Sequence, residues 1–146
     1  MYKRQGLVGS ARLHEIGLDI SHDGYQRHGA YIAENADMPG FPRAEQRILA
    51  FLIASQRHQI VTRYLKELPR AWREPALRLA ILLRLAVLLN RSRNQAESPP
   101  VEINVDAKSL AVRFDPAWLK ANPLTVADLE REQRLLAQAG YDLSYA

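Results

Sequence analysis

The sequence predicts a mainly α-helical domain followed by a small α/β domain of ββαβ-like topology. Apolar residues recur at helical spacing through most of residues 7–93, whereas apolar and polar residues alternate with period two at 101–105 and 110–114. The polar stretch NQAESPP at 94–100 ends in two prolines and separates these patterns. We therefore expect a helical domain at 6–93, a linker at 94–100 and a C-terminal α/β domain at 101–146.

Several helices are predicted in the first domain from the spacing of apolar residues. A loop at 17–24 separates the first two, and the segment MPGFP ends the second because two prolines cannot continue a helix. The predicted helices span residues 7–16, 25–36, 43–57, 61–67 and 72–90.

The helix at 72–90 is apolar around nearly its whole circumference, which predicts that other elements bury it on several sides. Arg84 lies within this apolar run. It must have a partner or reach the surface, because an unpaired buried charge is costly.

In the second domain, the two strands form a hairpin through the turn DAKS. Asp115 and Pro116 then begin a short helix, and Thr125 is predicted to cap a longer helix at 126–139. A strand at 141–145 closes the domain.

The charge balance makes a polyanion a candidate partner. The chain has twenty Lys and Arg residues and sixteen Asp and Glu residues, which gives a net charge of +4. Of the twenty basic residues, sixteen are arginine. The planar guanidinium group suits bidentate contacts with phosphate. An ordinary solvated surface is the alternative. Binding of nucleic acid is not expected, because aromatic residues are not interleaved with the basic ones as stacking platforms.

Cysteine is absent, which excludes disulfides, thiolate metal sites and a cysteine nucleophile, and fits a cytoplasmic protein. The most apolar run, residues 75–90, contains Arg78 and Arg84 and is too short to cross a membrane, so no membrane span is expected.

The first five residues, MYKRQ, back-translate as GTG-TAT-AAG-AGA-CAG, which matches the end of a transposase adapter used in sequencing libraries. This predicts that residues 1–5 are an adapter artefact and that the natural protein extends upstream.

The stretch LHEIGLDISHDGYQRHGAYI, residues 13–32, concentrates imidazole and carboxylate groups. Such groups gathered from several helices can hold a divalent metal ion. The alternative is that the histidines serve packing, hydrogen bonding or contact with an anion.

The pattern resembles the HD-domain phosphohydrolases, in which a His-Asp pair, a further His and a distant Asp bind metal. The corresponding positions here are His14-Glu15, His28 and Val87, and valine cannot bind a metal. The resemblance therefore implies a degenerate site without metal. The alternative is a stand-alone metal-dependent HD-type phosphohydrolase that acts on nucleotides or (p)ppGpp-like substrates through a metal at His14, Glu15, His28 and His58.

A longer resemblance covers residues 6–146. ARLHEIGLDISHDGYQRHGAYI, NADMPGF, RLAVLLNRSR, SPP with the hairpin after it, VRFDPAWL and DLEREQ occur in the order seen in the C-terminal half of the exopolyphosphatase and guanosine pentaphosphate phosphohydrolase (Ppx/GppA) family. The resemblance implies an HD-domain-like helical bundle and a small α/β domain. The family's catalytic residues and Mg²⁺ belong to two N-terminal actin-like domains, which this chain does not contain.

The resemblance also implies a role for this truncated fragment. It would bind inorganic polyphosphate and form a homodimer without catalysis, while the parent enzyme hydrolyses terminal phosphate from polyphosphate or guanosine pentaphosphate. The expected phosphate contacts are His22, Arg57, Arg91 and Arg93. A plain surface role for the arginines and a protein-interaction module unrelated to phosphate stay open.

Overall fold

The computed structural model describes the backbone of residues 2–90 and 101–146, with side chains from Leu7 onward. It is mainly helical with one small three-stranded sheet, which confirms this part of the predicted fold class. The chain divides into two compact units, residues 1–84 and 85–146, and each is described by itself. The predicted linker at 94–100 lies outside the described residues.

The helices of the first part of the chain follow the predicted order. The first predicted helix ends early, at Leu13, and a 3-10 helix at Ile16–Asp19 lies where a loop was expected. The helices are α1 at Tyr2–Leu13, α2 at Tyr25–Asn35, α3 at Arg43–Ser55, α4 at Thr62–Glu67 and α5 at Arg70–Leu89.

Helix α3 is the buried centre of the first unit. Every residue from Ile48 to Ser55 is buried. Helix α2 packs against it through alanines, whose small side chains allow the two backbones to approach closely. The shared core consists of Ala30, Ala33, Leu49, Ala50, Ile53 and Ala54.

The helix predicted at 72–90 is buried along part of its circumference, with Ala76, Ala80, Ile81, Leu83 and Leu85 buried. Helix α5 has an exposed face that carries Glu74, Arg78, Leu82 and Ala86 at spacings of four residues. Glu74 and Arg78 form an exposed ion pair at 3.3 Å on this face. Leu82 is apolar yet 38% exposed, which explains why the composition of the helix did not reveal the face.

Side chains from later helices bind the carbonyl groups at the ends of earlier ones, which would otherwise lack partners. Gln46 of α3 donates from Nε2 to the carbonyl of Ala36, just after α2, at 2.8 Å. Arg73 of α5 donates to the carbonyls of Lys66 at 2.7 Å and Leu68 at 3.0 Å, at the end of α4. These bonds fix where consecutive helices meet.

The described residues of the second unit form the end of α5, a mixed sheet and two further helices. Strand β1 at Glu102–Asp106 is antiparallel to β2 at Ser109–Arg113, and β3 at Asp142–Tyr145 is parallel to β2. Helices α6 at Pro116–Ala121 and α7 at Pro123–Gln138 connect β2 to β3.

The start of each helix in this unit depends on a proline. The carboxylate of Asp115 accepts from the backbone of Ala117 at 2.7 Å and caps α6, as its position before Pro116 predicts. The prediction that Thr125 caps the next helix is wrong. Helix α7 begins earlier, at Pro123, because the fixed φ of proline suits the first helical position, and it has no side-chain cap.

One face of the sheet is buried over β2 and β3 only. Leu110, Val112 and Leu143 are buried on this face, and Gln133 of α7 donates to the carbonyl of Leu143 at 2.7 Å. On β1, Ile103 pairs with Val112 and shares its face, yet it is 40% exposed. Helix α7 therefore packs against β3, whereas every residue of β1 is exposed in the described part of this unit. Among the described residues, no helix is both long and apolar enough to cross a membrane.

Candidate functional site

The end of α3 is the point where predicted site residues from distant parts of the sequence meet. We define the α3-end segment as residues 56–58, which follow Ser55 at the end of α3. Gln56 donates from Nε2 to the carbonyl of His14, just after α1. Arg57 contacts Tyr25, the first residue of α2. The segment thus links the end of α1 to the start of α2.

Arg57 is held against the Tyr25 ring. Its Nη1 lies 3.4 Å from the Tyr25 hydroxyl oxygen, and its guanidinium carbon lies 5.7 Å from the ring centroid. This is the geometry of a cation–π interaction. Tyr25 is only 8% exposed, so its ring is a fixed surface, whereas Arg57 is half-buried.

Gln56 is a buried polar anchor. Its side chain is 2% exposed, and within the described part of the chain its Oε1 has no hydrogen-bond partner, although Nε2 is bonded to His14. A buried amide bonded through one end fixes the backbone on the N-terminal side of Arg57.

Arg84 of α5 fixes the other side of the α3-end segment. It is 3% exposed and donates to the carbonyls of Ser55 and, at 2.7 Å, of His58. These bonds confirm the prediction that a charge inside the apolar helix needs partners. The Ser55 hydroxyl in turn accepts from the backbone of Val61 at 3.1 Å, which closes the turn before α4.

His58 adopts a left-handed backbone conformation with φ of 55° while its side chain is exposed. Side chains branched at Cβ tolerate this conformation poorly, whereas asparagine adopts it readily. We expect His58→Val to unfold at lower urea concentration than His58→Asn, by about 1–2 kcal/mol in free energy of unfolding. Both variants lack the imidazole, so their difference reports the backbone alone. Equal stabilities would contradict the left-handed assignment.

His22 lies in an exposed loop just before α2. The loop ends at Gly24, whose φ of 65° turns the chain into the helix, and α2 has no side-chain cap at its N-terminus. Tyr25 follows His22 by three residues, so the residue that holds Arg57 also begins the helix after the His22 loop.

The proposed metal ligands do not form a metal site. The His14 Nε2 lies 3.9 Å from the Glu15 carboxylate, while its Nδ1 lies 2.6 Å from the Ala11 carbonyl. Within residues 2–90 and 101–146, no three His, Asp or Glu side chains are grouped so that they could hold a metal ion. The donor set of the stand-alone phosphohydrolase, which includes His28 and His58, therefore does not fit a metal.

The remaining predicted site residues are Val87, Arg91 and Arg93, of which only Val87 lies among the described residues. Val87 lies half-buried on α5. Arg91 and Arg93 lie outside the described residues. The sequence did not predict the contact of Tyr25 with Arg57 or of Gln56 with His14. No local sequence pattern indicates contacts between residues more than thirty positions apart.

Comparison with known proteins identifies the family. The profile described as Ppx/GppA phosphatase, domain III, matches residues 2–133, which extend across both units. Three of the relatives that this chain matches are named guanosine-5'-triphosphate,3'-diphosphate pyrophosphatase. They come from Vibrio parahaemolyticus, Vibrio cholerae and Pseudoalteromonas translucida and are 38%, 36% and 34% identical over 94%, 92% and 94% of this chain.

The match is confined to one part of these relatives. The chain spans 27% of the length of each of them, in their C-terminal part. The profile and the relatives agree, and the chain belongs to the Ppx/GppA phosphatase family, in the region of its domain III.

Proposed function

We propose that this chain is the C-terminal portion of a Ppx/GppA phosphatase and that it binds inorganic polyphosphate without catalysing hydrolysis. The parent enzyme would release terminal phosphate from polyphosphate or from guanosine pentaphosphate, the compound class in the name of the relatives. Catalysis and Mg²⁺ would belong to domains outside this chain. The helical unit would correspond to the HD-like domain of the family and would contribute to a homodimer in the cytoplasm.

The observation that carries the proposal is the position of Arg57. A guanidinium group held over a buried ring at the start of α2 presents its remaining N–H groups in a fixed direction. Charge-assisted hydrogen bonds to phosphate are stronger than hydrogen bonds between neutral groups. The exposed His22 precedes the same helix start, so two groups suited to phosphate flank Tyr25.

Two further features support binding of a polyanion. The N-terminus of α2 has no side-chain cap and therefore presents the positive end of the helix dipole. The chain as a whole carries a net charge of +4, which attracts a polyanion at long range. Arg91 and Arg93 belong to the proposal as additional phosphate contacts, although they lie outside the described residues.

Two observations support the proposal that the chain does not catalyse hydrolysis by itself. The donor set examined for a metal is not grouped among the described residues, and Val87 stands where a metal-binding carboxylate would be needed. In the part of the chain that the structure describes, we therefore expect phosphate-binding groups but no metal that would activate water.

The test is binding of fluorescently labelled polyphosphate to the 146-residue chain, followed by fluorescence anisotropy at several salt concentrations. We expect the logarithm of the affinity to fall linearly with the logarithm of salt concentration, because binding releases counterions. Arg57→Gln should weaken binding about tenfold, as expected for loss of one charge-assisted hydrogen bond. His22→Ala should weaken it by a smaller factor.

The matched control is Arg113→Gln, which removes the same charge from a strand of the second unit. Arg113 is 71% exposed and pairs with Glu102 at 3.5 Å, so we expect it to change affinity by less than about twofold. The proposal is rejected if polyphosphate does not bind at low salt, or if Arg57→Gln and Arg113→Gln weaken binding equally.

A further inference from the structure

We propose that Tyr25 is a positioning residue, which orders Arg57 for contact with phosphate. The inference rests on the proposed function and adds a residue that would not itself touch the polyphosphate. Tyr25 would hold the Arg57 guanidinium group in one position before the polyanion binds.

The backbone of Tyr25 is fixed by its neighbours. A Cβ placed on Gly17 would lie 1.8 Å from the Tyr25 carbonyl oxygen, which shows how closely the 3-10 helix packs against the first residue of α2. Burial to 8% exposure holds the ring itself. Tyr25 is therefore a rigid platform and not a mobile surface tyrosine.

The backbone of Arg57 is fixed on both sides as well. Gln56 is bonded to the carbonyl of His14, and Arg84 is bonded to the carbonyls of Ser55 and His58. These bonds leave the long Arg57 side chain as the variable part of the segment.

The Arg57 side chain is ordered through Tyr25. Within the described residues, its hydrogen bond and its cation–π contact both go to this one residue, to the hydroxyl at 3.4 Å and to the ring at 5.7 Å. A long side chain that is ordered beforehand loses less conformational freedom on binding, so the platform should raise affinity without adding a contact.

The experiment compares Tyr25→Leu, Tyr25→Phe, Arg57→Gln and the double variant Tyr25→Leu/Arg57→Gln in the polyphosphate assay. Tyr25→Leu removes the ring, so the Arg57 side chain is no longer ordered before binding. Ordering it on binding then costs conformational entropy, which should weaken binding roughly fivefold. Tyr25→Phe keeps the ring and loses only the long hydroxyl contact, so its affinity should stay within about twofold of the original.

Two readouts separate positioning from a general effect on folding. Tyr25→Leu should reduce the magnitude of the slope of log affinity against log salt by up to about 0.7. This is the value for one phosphate contact on single-stranded nucleic acid. The double variant should bind no more weakly than Arg57→Gln alone, because Tyr25 acts through Arg57. Circular dichroism confirms that each variant is folded.

A measurement on the unchanged chain keeps the inference testable if Tyr25→Leu does not fold. The order parameter of the Arg57 Nε–H bond, from NMR relaxation without polyphosphate, should be close to that of the backbone. A disordered Arg57 side chain overturns the inference.

The outcomes distinguish the inference from the proposed function. Binding that depends on Arg57 but not on Tyr25 overturns the positioning role and leaves the proposed function standing. Additive losses in the double variant also overturn it. If the unchanged chain does not bind polyphosphate, the proposed function fails, and the positioning role for phosphate fails with it.

Discussion

Gly17→Ala is expected to destabilise the helical unit by about 3 kcal/mol or more, at the upper end of what overpacking costs. A Cβ at this position would lie 1.8 Å from the carbonyl oxygen of Tyr25 and 2.7 Å from the backbone nitrogen of Gly29. Both neighbours are backbone atoms of α2, which cannot rotate away as a flexible side chain could. The 3-10 helix would have to separate from α2.

Two other glycines of the same unit provide graded controls. A Cβ on Gly9 of α1 would meet only the Leu49 Cδ1, at 3.8 Å, which is an ordinary contact. Since alanine favours helices by about 1 kcal/mol over glycine, Gly9→Ala should be neutral or stabilising. A Cβ on Gly29 would lie 3.0 Å from the Ile53 Cγ2, so Gly29→Ala should have an intermediate effect.

Urea denaturation followed by circular dichroism measures this series. The expected order of stability is Gly9→Ala above Gly29→Ala above Gly17→Ala. If Gly17→Ala is as stable as Gly9→Ala, the 3-10 helix does not pack against α2 as described, and the fixed position of Tyr25 loses its support.

Arg84→Met is expected to cost about 3 kcal/mol of stability, because it removes the charged donor from two carbonyl groups, one of which belongs to the buried Ser55. Methionine keeps much of the volume of the apolar stem, so a cavity contributes little. The carbonyls of Ser55 and His58 would both lose their hydrogen bonds from this guanidinium group. The turn between α3 and α4, including the α3-end segment, would lose its anchor.

The control for this variant is Arg63→Met, on α4. The Arg63 side chain is 72% exposed and pairs with Glu67 at 4.0 Å, so its loss should cost no more than about 1 kcal/mol. Thermal or urea denaturation of the two variants gives the comparison. Equal stabilities would show that the buried guanidinium does not hold the turn.

Sequence patterns placed most of the helices and strands correctly, for identifiable reasons. Prolines at 39 and 42 separate α2 from α3, and period-two alternation locates the hairpin of β1 and β2. The exposed face of α5 escaped prediction because Leu82 and Ala86 are apolar although they face solvent. Periodicity reports burial only where the exposed face is polar.

The candidate site was predictable only in part. The sequence predicted that Arg84 has partners or reaches the surface, because an unpaired charge inside an apolar helix is costly. The contact between Arg57 and Tyr25 joins residues 32 positions apart, and depends on how α2 and α3 pack. The same packing decides that the histidines and carboxylates of residues 13–32 do not gather into a metal site, which their spacing in the sequence left open.

The most direct test of the account measures polyphosphate binding and phosphate release together, on the purified 146-residue chain with Mg²⁺ present. The account predicts binding that weakens steeply with salt and depends on Arg57, with no release of inorganic phosphate above the background without protein. Phosphate release that persists in Arg57→Gln but is lost on substitution of His14 or His28 would contradict it, and would restore the stand-alone phosphohydrolase.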